Sequence, residues 1–529
     1  MNSQKLTDLG VMLEQATSNI KQYDQHQEDA AHTPTIHVPN VGNTLLFAYE
    51  QLRNASENIQ DHLLFQRAIL RFYKRNLPFG VNKLPTRLGH ELVIELTQAE
   101  YLKNNSIPTS TAEELDKLIQ ELYAAYWTLK NEYKIPNETA QKWVLDLLSV
   151  KSEQLFNNPI RILSFAHLAH AHFVKLIDIG DNIVDDESVE KADYQMLLYI
   201  SLHKALLKSD DANIRNALLD LYSISTSNIP EFIEFNKKYD ALAELKTTAR
   251  VSRLVSKNGA PLRILRSTFF TTPSSLSSID IKNESKTLNM IDFQVDEDYK
   301  QVKRTIKAGV IKSIFFLLIT KALIGLVIEI PYDIIVTGSI VILPLIINLL
   351  FPPLFIAITA LTFKHPSDVN KAAILDYAKT MVYESNTVQA PIRYASSQGR
   401  NYVFNTVYVI MFLAAFYLVA SRLAALEFNI VQGVIFFVFL STASFLGYRL
   451  TVQIKELEIV NTNQGIIALI RDFLYSPFIF VGQRISYRFA RMNIIAQILD
   501  IVVELPLKTV LKLIRQWTIF LNNKKDELI

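Results

Sequence analysis

Two stretches of this chain are too long and too apolar to be the core of an ordinary water-soluble fold. One runs over residues 308–363 and is broken by Glu329-Ile-Pro-Tyr-Asp333; the other runs over 402–447 and is broken between Ser421 and Asn429. A bilayer core of about 30 Å is crossed by roughly 20 helical residues. Backbone groups there must bond within their own segment, which selects helices. The pattern therefore predicts two transmembrane hairpins with spans at 308–328, 334–363, 402–421 and 430–447.

Basic flanks orient such spans, because Lys and Arg concentrate on the cytoplasmic side. Lys300, Lys303, Arg304, Lys307 and Lys312 precede or open the first span. Lys364, Lys371, Lys379, Arg393 and Arg400 lie between the hairpins, and Arg449, Lys455, Arg471, Arg484, Arg488 and Arg491 follow the last span. The two short turns hold Glu329 with Asp333, and Arg422 with Glu427. The asymmetry predicts a cytoplasmic N-terminus, middle loop and C-terminus, in a plasma or cytoplasmic membrane. Residues 1–22 show no signal-peptide pattern.

The rest of the composition points to an all-α chain. Glycine numbers only 14 in 529 residues, well below the average of roughly 7%. Tight hairpins and glycine-rich nucleotide loops both draw on glycine's freedom at positive φ. The absence of cysteine excludes disulfides and thiolate chemistry. A net charge of +2 gives no dominant long-range field. No phosphate loop, dinucleotide fingerprint, H-E-x-x-H or nucleophile elbow is present, so the expectation leans away from an enzyme.

Five regions are expected. Residues 1–40 read as poorly ordered, with a short helix near 6–20. Residues 41–266 read as a cytoplasmic helical domain. A Ser/Thr-rich linker follows at 267–299, then the four-span region at 300–447, then cytoplasmic-face amphipathic helices at 448–529. In the helical domain, Leu115, Leu118, Ile119, Leu122, Tyr126 and Leu129 form one apolar face. Ser110 with Glu113, Thr111 with Glu114, and Asn137 offer capping signals ahead of two helices.

Three groups of residues are candidates for function. The first is intramembrane and polar: Lys321, Asn348 and Asn405. Ionisable residues at such depth are costly and mark functional sites. The second span adds Pro344, Pro352 and Pro353 to a 30-residue uncharged run. It reads either as a broken helix lining a pathway or as a tilted, kinked span.

The second group is His167, His170, Asp178 and Asp181, which share one face if their helix runs on to Asp181. His and Asp suit zinc or iron, but this face is too long for one ion, so a second helix would have to contribute. A divalent metal is the one cofactor with any support. The acidic run lacks the DDxxD spacing of the prenyl-synthase metal site.

The third group is basic. Lys246, Arg250, Arg253 and Lys257 share a helical face, and Arg484, Arg488 and Arg491 share another. Both suit anionic lipid headgroups, a solvated face being the alternative for the first. Nucleic acid ranks lower, because no recognition fold accompanies the charge. The stripe Asn493, Gln497, Asp500, Glu504, Lys508, Lys512, Arg515 predicts an amphipathic C-terminal helix. The expected function is a membrane-anchored scaffold or adaptor with a protein partner or self-association. An oligomeric transporter or channel using Lys321 and the second span is the first alternative. A membrane-bound lipid- or polyprenyl-processing enzyme with a His/Asp metal site is the second.

Overall fold

The computed structural model describes residues 6–29, 34–38, 61–178, 193–271, 281–363, 366–384, 402–460 and 466–492, with a few isolated residues elsewhere. Among the described residues the regular structure is helical, apart from a two-residue parallel pairing of β1 (Ile177–Asp178) with β2 (Ile392–Arg393) and a single bridge between Thr35 and Pro108. The chain divides into two compact units. One consists mainly of Gln15–Val174 and Asp186–Val255; the other of Met1–Glu14, Lys175–Asp185 and Ser256–Met492.

Helix α1 (Asp8–Asp29) occupies much of the segment expected to be poorly ordered. Its start is fixed by contacts that are distant in sequence. Thr7 donates through its backbone N–H to Val382 O at 3.0 Å and through Oγ1 to Met381 O at 2.6 Å. Thr7 Oγ1 in turn accepts from Gly10 N at 3.0 Å. A side chain at Gly10 would place its Cβ 2.4 Å from Val382 O, so glycine permits this approach.

The first unit contains α2 (Leu64–Asn76), α3 (Leu88–Gln98), α4 (Thr109–Asn131), α5 (Asn137–Phe156), most of α6 (Ile160–Leu176), α7 (Tyr194–Leu202), α8 (Asp211–Leu221), α9 (Ile229–Glu244) and most of α10 (Lys246–Lys257). A π-turn, His203–Leu207, continues α7. Of the apolar face read from the sequence on α4, Leu115, Ile119, Leu122, Tyr126 and Leu129 are nearly inaccessible and Leu118, at its edge, is half-buried. The capping signals act differently from expectation. Helices α4 and α5 are capped by Pro108 and Pro136, without side-chain bonds. Asn137 is the first residue of α5, where its Oδ1 accepts from Tyr126 Oη. Proline fits there because an N-cap needs no N–H of its own and its φ is already set.

The second unit contains α11 (Ala260–Phe269), α12 (Glu284–Ile324), α13 (Ile330–Thr337), α14 (Ile342–Leu361), α15 (Asp368–Tyr383), α16 (Tyr402–Ala425), α17 (Ile430–Lys455) and α18 (Ile466–Met492). Among the described residues, four helical runs are long and apolar enough to cross a membrane: Glu284–Val336, Ile342–Leu361, Thr406–Ala425 and Ile430–Lys455. Helix α12 has 41 residues, about 61 Å at 1.5 Å per residue, and its first turns occupy part of the expected linker. Residues 272–280 of that linker lie outside the described residues.

The first expected turn is not a turn. Glu329 to Asp333 are helical: a π-turn over Gly325–Glu329 joins α12 to α13, and the chain reverses at Gly338, whose φ is +71°. Pro331 has no N–H to donate and would crowd the carbonyl four residues back. The helix is widened over that stretch instead of being ended. The second span consequently begins at Ile342 and has 20 residues, one ordinary crossing. Pro344 falls in its first turn, where no intrahelical N–H is required.

Two polar side chains hold the chain where it leaves α17. Arg263 donates from Nη1 to Glu456 O at 2.7 Å, bonding a carbonyl left open at the end of α17. Burial pulls its guanidinium below the usual arginine range. Asn370, buried on α15, donates from Nδ2 to Leu457 O and to Tyr299 Oη, each at 2.8 Å. Its Oδ1 accepts from Ile459 N at 2.8 Å and Val460 N at 3.2 Å.

Candidate functional site: a buried polar network in the apolar bundle

Lys321, Glu329, Asp333, Asn348 and Gln432 are all 0–1% exposed inside the apolar helices. They come from three helical runs, yet they form one connected set. Lys321 Nζ donates to Glu329 Oε1. Asn348 Nδ2 donates to Glu329 Oε2 at 3.0 Å and to Gln432 O at 3.2 Å. Gln432 Nε2 donates to Asp333 Oδ2 at 2.8 Å, and Asn429 Nδ2 donates to Asp333 Oδ1 at 2.7 Å.

The local structure explains how these groups meet. Eight residues separate Lys321 from Glu329, and in a regular α-helix that spacing leaves them about 80° apart. The π-turn takes up one extra residue. The pair then behaves as if seven residues apart, within about 20° of one face. Glu329 also leans back toward the helix start, as helical side chains do. Asp333 follows four residues later, on the same side of the helix.

Across the interface, Asn429 and Gln432 form a reciprocal capping box at the start of α17. Gln432 N donates to Asn429 Oδ1 at 2.8 Å, and Asn429 N donates to Gln432 Oε1 at 3.2 Å. One motif thus starts a helix and presents two amides to Asp333. Lys321 Nζ also lies 4.9 Å from the Phe439 ring centroid, a cation–π distance. Leu317, Ile356, Phe439 and Ala443 form an apolar cluster beside the network. Among the described residues, Asn348 Oδ1 is buried with no hydrogen-bond donor.

Of the residues singled out in the sequence, the structure brings Lys321 and Asn348 into this network. Asn405 lies on α16, with its side chain outside the described residues. Glu329, Asp333, Asn429 and Gln432 were missed as site residues. The first two stood in the expected turn of the first hairpin, Asn429 marked the end of the second break, and Gln432 carried no signal of its own. The available signal was three ionisable residues, Lys321, Glu329 and Asp333, within one apolar run.

The His/Asp face is not continued as the spacing requires. Helix α6 ends at Leu176, and Asp178 belongs to the β1 pairing instead. Asp181 lies outside the described residues. Among the described residues no three His, Cys, Asp or Glu side chains are grouped to hold a metal. His170 stacks edge-on against Tyr199 at 5.6 Å, and Tyr199 lies 4.6 Å from His203. Burial lowers the His170 pKa, with a smaller opposing effect from the Gln195 backbone.

The basic residues take different positions. On α10, Lys246, Arg253 and Lys257 are exposed and Arg250 is half-buried, while Thr247, Thr248, Val251 and Val255 are buried. Arg484 and Arg488 are exposed on α18. That helix runs from Ile466 through Arg484 and Arg488 without a break. Arg491 is in its last turn, with its side chain outside the described residues, and the stripe from Asn493 to Arg515 is likewise outside them.

No protein-family model matches this chain, and no curated protein or solved structure is significantly similar to it.

Proposed function

We propose that the protein is a membrane-anchored scaffold or adaptor whose first helical unit binds a protein partner at the cytoplasmic surface. The carrying observation is that Lys321, Glu329, Asn348 and Gln432 bond one another at 0–1% exposure. Buried polar groups that satisfy each other rigidify a bundle and fix its register. On this reading the polar residues join three membrane helices into a fixed anchor. Binding is then assigned to the helical unit.

The basic residues from Lys300 to Lys312 and at Arg449 and Lys455 support a cytoplasmic placement of both ends of the four-helix set. The exposed cations of α10, Lys246, Arg253 and Lys257, suit contact with anionic headgroups. Crosslinking in intact membranes followed by mild solubilisation tests the reading. A stoichiometric partner crosslinked to the first helical unit is expected. A chain recovered with no partner by either route would overturn it.

One observation favours the transporter or channel alternative. Among the described residues, Asn348 Oδ1 is an unused acceptor beside a buried ion pair, next to a π-turn, and π-turns are frequent at functional sites. Ion or proton flux in liposomes that disappears in Asn348→Leu would move this alternative ahead.

A further inference from the structure

Helix α12 passes from a charged half to an apolar half without a break. Its neighbour α17 marks the level at which the halves meet. A Cβ at Gly309 would lie 2.7 Å from Leu450 Cδ2. Further along, Leu317 of α12 and Ala443 of α17 share one apolar cluster. The two helices therefore run side by side in opposite directions, with Gly309 level with Leu450. Tyr448, 43% exposed, and the exposed Arg449 stand beside Leu450. Aromatic and basic residues of this kind collect where a membrane helix leaves the hydrocarbon.

One stripe of α12 crosses that level. Lys300, Arg304, Lys307, Ile311, Phe315 and Leu318 follow one another at intervals of three or four residues, so they share a sector of about 80°. Lys303 lies at its edge. All four cations are exposed, and so are Ile311 at 45%, Phe315 at 61% and Leu318 at 39%. The stripe changes from basic to apolar in one turn, between Lys307 and Ile311. On its far side Lys300 Nζ donates to Glu297 Oε1 at 2.8 Å, which closes the basic run. Lys303, Arg304 and Lys307 then span about 6 Å of the axis, within reach of a single headgroup.

We propose that this stripe binds a bilayer phospholipid whose headgroup carries several negative charges. The headgroup lies on Lys303, Arg304 and Lys307, and the acyl chains lie on Ile311, Phe315 and Leu318. The continuity of the stripe selects this occupant. A soluble phosphate would leave the apolar half unused, and a neutral lipid would leave three cations unmatched. A transmembrane helix of another protein, or a second copy of this chain, brings its own Lys and Arg to the same side of the membrane. An anionic head joined to hydrocarbon tails matches both halves at once. The Arg304 fork suits two oxygens of one phosphate, and the flanking lysines add point charges. The site rests on the apolar helices lying in a bilayer, a premise shared with the adaptor reading. It uses no part of the helical unit to which that reading assigns binding.

The chain has no cysteine, so a dye at Gln301→Cys, exposed beside the stripe, is unique. The full chain is assembled in phosphatidylcholine nanodiscs with acyl-labelled phosphatidylinositol bisphosphate, and energy transfer reports lipid held beside the dye. This lipid should be preferred over acyl-labelled phosphatidylcholine by about a hundredfold, from about fivefold for each of three cations. Arg304→Gln should lose about fivefold of that preference, and Lys303→Gln/Arg304→Gln/Lys307→Gln all of it. Free inositol trisphosphate, a headgroup without tails, should not displace the lipid at equal concentration. Displacement would assign the cations to a soluble phosphate and overturn the proposal. So would equal enrichment of phosphatidylserine at matched total charge, or a preference that survives in the triple variant. A preference that appears only after Asp500→Asn/Glu504→Gln would show that the chain's own acids fill the stripe, and also overturns it. Equal transfer to every lipid overturns the headgroup site alone; no transfer to any lipid overturns the membrane placement as well.

Discussion

Replacing Lys321 by methionine removes one partner of an ion pair whose members are 1% and 0% exposed. The Glu329 carboxylate then keeps one donor, Asn348 Nδ2 at 3.0 Å. Replacing Glu329 by leucine instead leaves the Lys321 ammonium with only the Phe439 ring face, 4.9 Å away. Removing one member of a buried pair typically costs about 3–5 kcal/mol, because the other charge stays buried and uncompensated. The Glu329→Leu change should lie at the upper end, since a cation–π contact returns only about 2 kcal/mol even when dry. The double variant Lys321→Met/Glu329→Leu leaves no buried charge at this pair and should fall within about 2 kcal/mol of the wild type, as apolar replacements of buried pairs often do. The expected coupling between the two sites is then on the order of 4 kcal/mol or more. A cysteine at Ala443, inaccessible beside Leu317 and Ile356, reports opening of this core through its reaction with a thiol probe during detergent titration. Single variants as stable as wild type, or a double variant as weak as the summed singles, would refute the account of the network as a mutually satisfied lock.

Three further expectations follow from other parts of the molecule. Gly482→Ala should loosen α18 from α17 by about 1–3 kcal/mol, the range for overpacking, because the added methyl meets Ser441 backbone and not a movable side chain; unchanged thiol protection at Ala443→Cys would contradict it. Asn370→Ala removes four hydrogen bonds at one buried amide, so segment 457–460 should gain backbone amide exchange while the apolar helices keep their protection. In the first helical unit, burial pushes Glu153 up to about 7, with the Asp210 carboxylate adding to it, so this unit binds a proton more tightly folded than unfolded. Its stability is then highest below about pH 4.5 for this group and falls as pH rises through 7; Glu153→Gln should raise stability at pH 8 by on the order of 2–3 kcal/mol and change little near pH 4, which thermal melts at the two pH values can check.

The sequence by itself determined the all-α class and the presence of four membrane-length apolar helices. Both follow from composition and from a periodicity that depends on neighbours a few residues away. It also marked Lys321 and Asn348, because a polar residue in such a run is conspicuous on its own. Tertiary structure decided what surrounds them. Glu329 and Asp333 beside Pro331 carry the local signature of a turn, since an isolated charge prefers water and proline breaks helices. That preference is reversed only when Lys321, Asn348, Gln432 and Asn429 supply bonds, and three of those four come from other helices. Only the fold could set what α18 packs against. Its mixture of apolar residues with arginines fits an interfacial helix equally well in sequence, and its position rests on Gly482 meeting Ser441 and Phe478 meeting Phe416. The early ordering of α1 has the same origin, in carbonyls at Met381 and Val382 that no window of neighbouring residues contains.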